Sequence, residues 1–251
     1  MTTPATTDVP STPSYARLLF ILNALLALAG VALSFTLNIS GYYVDKMDTA
    51  EPTILGNTLT GVDTPLERFL DWTTYFTILS NIVVAVIMVA LVVRPQMFTR
   101  ADRVGMFWRV LRLDALLMII ITGVVYNALL AEGGKEGWDW LSNLIIHVLV
   151  PIITPLVWLA AGPRGLIRQG TVWASLLIPL AWAAYALVRG QVVGAYPYPF
   201  LDVSTNGWAS VLSFIAVIVV VAVILGYVLL GIDRLLQRIS RDESAQNPAG
   251  S

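Results

Sequence analysis

Residues 140–158 read WLSNLIIHVLVPIITPLVW and contain His147, the only histidine of the chain. The segment is long and apolar enough to cross the hydrocarbon core of a bilayer as a helix, which takes about 20 residues. An ionisable side chain in such a helix usually faces protein or a water-filled cavity, where it marks a functional site. The alternative is a histidine that hydrogen-bonds to a neighbouring helix and only stabilises packing.

The composition of the whole chain is that of a membrane protein. Of its residues 57% are hydrophobic and 12% are charged, and the mean hydropathy is +0.76, beyond what soluble domains usually carry. The net charge of −1 gives no basic surface for a nucleic acid. The absence of cysteine excludes disulfides, thiolate catalysis and cysteine-ligated metals. We predict neither a metal nor a cofactor.

Six apolar runs have the length of a membrane span, which is about 17–25 residues. The first follows a segment without the basic start of a signal peptide, so we interpret it as a retained span. The sequence therefore predicts an all-α integral membrane protein, a six-transmembrane-helix bundle over residues 16–238 with disordered tails at 1–15 and 239–251. The six runs are residues 16–39, 74–93, 113–131, 144–161, 172–188 and 209–230.

Basic residues divide unequally between the two ends of this bundle. Because cytoplasmic loops are enriched in lysine and arginine, the division predicts that both termini are cytoplasmic. The other end carries only four basic residues, Lys46, Arg68, Lys135 and Arg189. Eleven of the fifteen fall at the predicted cytoplasmic end: Arg17, Arg94, Arg100, Arg103, Arg109, Arg112, Arg164, Arg168, Arg234, Arg238 and Arg241.

Polar residues from three spans fall at one predicted depth. Thr77 lies five residues after Trp72, and His147 lies seven residues after Trp140. Both tryptophans mark the predicted outer ends of their spans. At 1.5 Å per residue both are roughly 7–11 Å below the outer interface. The third span runs the other way and brings Tyr126 and Asn127 to the same layer. These side chains predict a small polar chamber, although a membrane-embedded threonine commonly hydrogen-bonds to its own backbone instead.

Several of these residues belong to a pattern that resembles a known family. The chain is similar to the bacterial branch of the androgen-induced membrane proteins, a six-span integral membrane family whose animal members are threonine hydrolases of fatty acid esters of hydroxy fatty acids. The resemblance implies a hydrolase in a bacterial plasma membrane. It rests on YFTILSN at 75–81, His147, Pro151, Trp158, GPRG at 162–165 and YPYPFLD at 196–202.

The resemblance implies that Thr77 is the catalytic threonine and His147 the catalytic histidine. Threonine is a weak nucleophile and needs an adjacent base, which a neutral imidazole supplies. Donors for the oxyanion and a group that orients the imidazole are also expected. The candidate oxyanion donors are Asn81, Asn127 and Tyr126, and the candidate orienting residues are Asn143 and Asp202.

The expected substrate is a lipid ester that enters the site laterally from the bilayer, while water enters from the outer side. Two other classes of function stay open. One is a non-catalytic lipid-binding or scaffolding membrane protein, in which the polar chamber serves packing. The other is a small transporter with His147 as its protonatable site. The oligomeric state is not predicted by the sequence.

Overall fold

The computed structural model of the chain describes residues 13–43, 53–55, 64–131 and 136–246, the last four of these without their side chains. The described part is helical throughout, apart from turns and one isolated β-bridge. The helices are α1 (Ser14–Ile39), α2 (Pro65–Thr74), α3 (Phe76–Val93), α4 (Arg103–Val125), α5 (Gly137–Leu144), α6 (Val150–Ala161), α7 (Gln169–Ala174), α8 (Leu177–Val193) and α9 (Val203–Gln246).

Six helical stretches are long and apolar enough to cross a membrane, which confirms the predicted six-span integral membrane fold. Five of them are longer than predicted because the helices continue past their apolar cores into polar residues, whereas the second begins two residues later than predicted, after a break in the helix at Tyr75. The stretches cover Ser14–Ile39, Phe76–Val93, Arg103–Leu130, Gly137–Ala161, Gln169–Val193 and Val203–Asp242.

The predicted boundary of the C-terminal tail is wrong. Helix α9 continues through Gln246 instead of ending near residue 238, because loss of apolar residues ends a membrane span without ending a helix. The remaining tail, residues 247–251, and most of the N-terminal tail, residues 1–12, lie outside the described residues.

A short amphipathic helix, α2, precedes the second span and was not predicted from the sequence. It begins with a capping box in which the Thr64 hydroxyl accepts from the Glu67 backbone and the Glu67 carboxylate accepts from the Thr64 backbone. Proline at its first position adds to this start signal, which is readable in the sequence. The chain leaves helical geometry at Tyr75 and re-enters it at once in α3. This break puts Thr77 in the first turn of α3.

The core lies between α1, α3, α4 and α6, where small residues let the helices approach closely. A Cβ atom on Gly30 would lie 2.6 Å from a methyl group of Ile146, and one on Gly123 would lie 2.6 Å from Cβ of Pro151. Both glycines therefore fix the distance of the helix that carries His147 from its neighbours.

This packing predicts opposite effects for two glycine-to-alanine substitutions. Gly123→Ala should lower thermal stability by about 1–3 kcal/mol, since the rigid Pro151 ring cannot move away without separating two helices. Gly231→Ala is the matched control, because nothing lies within 4 Å of its added Cβ, and alanine favours a helix by up to about 1 kcal/mol over glycine. Thermal unfolding in detergent measures both. Equal melting temperatures for the two variants would contradict this account of the packing.

Candidate functional site

Thr77 is the second residue of α3 and is almost completely buried, with 6% of its surface exposed. Its Oγ1 lies 3.2 Å from Nε2 of His147, a hydrogen-bonding distance. Backbone N–H groups in the first turn of a helix have no partner within the helix, so the positive end of the α3 dipole lies beside this hydroxyl. The structure thus brings together the two residues that share a predicted depth.

His147 lies in a π-helical turn, Ile145–Leu149, that joins α5 to α6. A second π turn, Tyr126–Leu130, follows α4 at the same level. The Tyr126 ring stacks on the His147 imidazole, with 3.6 Å between ring centroids and 14° between planes. The two π turns therefore meet at the histidine and hold its ring against an aromatic face. Such turns are rare and often occur at functional sites.

Asn81 and Asn127 connect the backbones of neighbouring helices around this histidine. Asn81 Nδ2 donates to the Ile146 carbonyl at 3.2 Å, and Asn127 Nδ2 donates to the His147 carbonyl at 3.1 Å. Each also donates to a carbonyl one turn back in its own helix, at 2.8 and 2.7 Å. Both amide hydrogens of each side chain are used, so the expectation that either asparagine donates to an oxyanion is wrong.

Tyr126 and Asn143 form a chain of hydrogen bonds behind the imidazole. The Tyr126 hydroxyl donates to Oδ1 of Asn143 at 2.9 Å, and Asn143 Nδ2 donates to Oδ1 of Asp139 at 2.8 Å. Tyr43 donates to the same carboxylate oxygen at 3.0 Å. Tyr126 is thus held by its hydroxyl and contacts His147 with its face, which corrects its expected role as an oxyanion donor. Asn143 thus reaches the imidazole through Tyr126, which lies between them.

Asp202 does not have the orienting role that the sequence analysis considered. Its carboxylate accepts from the backbone nitrogens of Ser204 at 2.9 Å and Thr205 at 3.2 Å, and from the Thr53 hydroxyl at 2.7 Å. These are the contacts of an N-cap at the start of α9. Asp202 therefore fixes the loop before α9 and ties it to Thr53.

Tyr198 is the functional candidate that the sequence analysis missed. Its hydroxyl oxygen lies 3.5 Å from Thr77 Oγ1 and accepts from the Thr77 backbone nitrogen at 3.4 Å. Burial raises the pKa of the Tyr198 hydroxyl above its ordinary value, against the lowering effect of its hydrogen bonds with Thr77. The group is therefore a neutral phenol at physiological pH, with a proton to donate.

The loop that carries Tyr198, residues 194–202, is held rigidly over the end of α3. The Tyr196 N–H donates to the Thr53 carbonyl, and the Tyr196 carbonyl accepts from the Leu55 N–H, both at 2.8 Å. The Tyr196 ring packs directly on Gly190, where an added Cβ would lie only 2.3 Å from ring carbons. Trp182 donates to the Thr74 carbonyl at 2.9 Å, which joins α8 to the segment before α3. The sequence feature that could have indicated this loop is YPYPF at 196–200, in which Tyr198 lies between two prolines.

An apolar groove begins at Thr77 and extends toward the middle of the bundle between α3, α4, α8 and α9. Its empty volume, counted with the open space at its mouth, is about 710 Å³. From Leu130 to Ile121 it follows α4 over roughly 14 Å at 1.5 Å per residue. Its walls are formed by Phe76, Thr77, Ile121, Thr122, Val125, Tyr126, Leu130, Pro179, Leu180, Trp182, Ala183, Tyr198, Phe200, Leu201, Phe214, Ile215, Ile218 and Val219.

The site is a threonine–histidine pair at the polar end of this apolar groove. Among the described residues no group of three histidine, cysteine or carboxylate side chains is arranged to hold a metal ion. The fold and the site together define an integral membrane protein of six spans in which a half-buried histidine meets a buried threonine, and the threonine lines an apolar groove. No known protein family, curated protein or solved structure matches the chain.

Proposed function

We propose that this protein is an intramembrane hydrolase of lipid esters, with Thr77 as nucleophile and His147 as general base. The observation that carries the proposal is the 3.2 Å separation between Thr77 Oγ1 and His147 Nε2 at the end of a groove suited to an acyl chain. The resemblance to the androgen-induced membrane proteins supports the same two residues and the same class of substrate, fatty acid esters of hydroxy fatty acids or related acyl esters.

The chemistry has two steps of acyl transfer. His147 Nε2 takes the Thr77 hydroxyl proton while Oγ1 attacks the ester carbonyl carbon, and the carbonyl oxygen becomes an oxyanion. Collapse of this intermediate breaks the ester C–O bond, and the leaving alkoxide takes the proton from His147. The acyl group is then bound to Thr77 Oγ1. Water then gives a proton to His147 and attacks the acyl carbon. The bond to Thr77 Oγ1 breaks, Oγ1 takes the proton back from His147, and the fatty acid leaves.

The oxyanion is stabilised by Tyr198 and by the N-terminal end of α3. The Tyr198 hydroxyl is 3.5 Å from Thr77 Oγ1, so it can donate to an oxygen on the carbon bonded to Oγ1. The helix dipole supplies positive potential at the same place. Such prearranged donors act strongly in a site that excludes water.

The apolar groove accommodates the acyl chain. Its walls, which include leucine, isoleucine, valine and phenylalanine side chains, suit a hydrocarbon chain and no charged group. The chain would lie in the groove toward the bilayer centre, with the ester carbonyl at Thr77. This direction lets a lipid substrate enter from the membrane.

A non-catalytic lipid-binding protein is the second candidate, because the same groove would hold an acyl chain without chemistry. A panel of lipid esters incubated with the purified protein separates the two functions. We expect release of free fatty acid by the wild type and none by Thr77→Ala, with both proteins folded. Binding of the same esters without release by the wild type would favour the lipid-binding function.

The distribution of arginines supports cytoplasmic termini and a site near the outer face of the plasma membrane. The chain has no cysteine, so single reporter cysteines can be introduced without background. Glu136→Cys at the start of α5 and Gln169→Cys at the start of α7 are both exposed positions at opposite ends of the bundle. A membrane-impermeant thiol reagent should label Glu136→Cys in intact cells and leave Gln169→Cys unlabelled. The reverse pattern would overturn the proposed orientation.

A further inference from the structure

A second apolar groove lies on the lipid-facing side of the bundle, between α1 and α3. Its empty volume, which includes space open to the surroundings, is about 940 Å³, and Arg94 and Trp108 are among its lining residues. Leu28, Val86 and Val89 on its walls are between 42% and 47% exposed. The other lining residues are Val31, Ile82, Ala85, Ala90, Val93 and Met97.

The length of this groove matches one leaflet of a bilayer. From Ile82 to Arg94 it follows α3 over about 18 Å at 1.5 Å per residue, and half of a hydrocarbon core is about 15 Å. Its apolar part therefore reaches from the bilayer centre to the interface at the arginine-rich end of the bundle. Trp108 lies at that interface, where tryptophan is commonly found in membrane proteins.

Arg94 gives this end of the groove a positive charge that the described part of the protein does not neutralise. Its neighbours Arg100 and Arg109 are engaged, the first in an ion pair with Asp102 and the second with the carbonyl groups of Phe98 and Arg100. The Arg94 side chain is exposed and has no hydrogen bond or ion pair to any described residue. A guanidinium at headgroup level suits a phosphate group.

We infer that this α1–α3 groove binds one anionic phospholipid from the leaflet at the arginine-rich end, with an acyl chain along α3 and the headgroup phosphate at Arg94. The site is separate from the Thr77–His147 pair, which opens on the other side of α3 between α4, α8 and α9. The inference does not depend on the proposed hydrolase activity.

The test compares lipid binding to the purified protein in detergent by native mass spectrometry, with dioleoyl-phosphatidylglycerol and dioleoyl-phosphatidylcholine as probes. The wild type should bind the anionic lipid about fivefold more tightly, as one basic residue near a membrane surface predicts. Arg94→Gln should remove this preference. Arg103→Gln is the matched control, since Arg103 is equally exposed but lies outside the groove, and it should retain the preference.

The acyl-chain part of the site is tested by filling the groove. Val89→Trp should weaken binding of both lipids several-fold, whereas Val220→Trp, at an exposed position on α9, should not. Val86→Phe replaces the first variant if Val89→Trp does not fold. Soluble glycerol phosphate should not compete. Equal binding of the two lipids by the wild type, equal losses in Arg94→Gln and Arg103→Gln, full binding by the groove-filled variant, or competition by glycerol phosphate would each overturn the inference.

Discussion

Thr77→Ala and His147→Ala should each lower kcat for ester hydrolysis by about 10,000-fold or more, while the protein remains folded. Alanine at 77 removes the hydroxyl that lies 3.2 Å from His147 Nε2. Alanine at 147 removes the base, and a threonine hydroxyl without an adjacent base is a poor nucleophile. Losses of this size are measured when members of a catalytic unit are removed. Purified proteins and a chromogenic acyl ester provide the measurement.

The double variant distinguishes a catalytic pair from two independent contributions. Thr77→Ala combined with His147→Ala should be no less active than either single variant, because residues that act as one unit are strongly non-additive. Thr77→Ser should keep part of the activity, since it keeps the hydroxyl. Thr73→Ala is the matched control, because the Thr73 hydroxyl donates to the Leu70 carbonyl of its own helix at 2.8 Å. Wild-type turnover by either single alanine variant would exclude the proposed pair.

Tyr198→Phe should lower kcat by about 100-fold with little change in stability. The substitution keeps the ring, which packs edge-on against Tyr75 and stacks on Phe200, and removes only the hydroxyl beside Thr77. Loss of one oxyanion donor typically costs about 100- to 1,000-fold. Because the donor acts in the transition state, the effect should fall on kcat and leave KM nearly unchanged.

Tyr185→Phe is the matched control for this prediction. The Tyr185 hydroxyl lies 3.4 Å from Thr74 Oγ1, so the substitution removes a neighbouring phenol that does not reach Thr77. Its activity should equal that of the wild type. If Tyr198→Phe and Tyr185→Phe have the same activity, Tyr198 serves packing only.

The six spans and the shared depth of Thr77 and His147 could be predicted from the sequence for a simple physical reason. A membrane span has a known rise per residue and interfacial tryptophans that mark its end, so distance along the chain translates into depth. Depth alone does not predict that two helices touch, and the pairing of these two residues was implied by the family resemblance. The structure places the two side chains 3.2 Å apart.

The roles of the surrounding polar residues could not be predicted, because they depend on breaks in the helices. Nothing in YNALL or IIHVL signals a π turn, yet the turns at Tyr126–Leu130 and Ile145–Leu149 require other partners for backbone carbonyls. A buried carbonyl without a donor is costly, so Asn81 and Asn127 are used there and are not available to a substrate.

Tyr198 could not be placed for a different reason, which is its distance along the chain. It is 121 residues from Thr77 and reaches it only because residues 53–55, Gly190 and the α9 cap at Asp202 hold its loop. The depth argument applies only to residues of membrane-spanning helices, so it does not locate a residue in a loop. A loop that folds back into the bundle is visible only in the three-dimensional structure.

Covalent labelling tests the central claim most directly, because it asks which atom is the nucleophile without requiring knowledge of the physiological ester. The protein is incubated with a long-chain alkyl fluorophosphonate, digested and analysed by mass spectrometry, with Thr77→Ala and His147→Ala as controls. The account predicts one adduct on Thr77 in the wild type, none in Thr77→Ala and strongly slowed labelling in His147→Ala. An adduct on any other residue, or equal labelling of the wild type and Thr77→Ala, would contradict it.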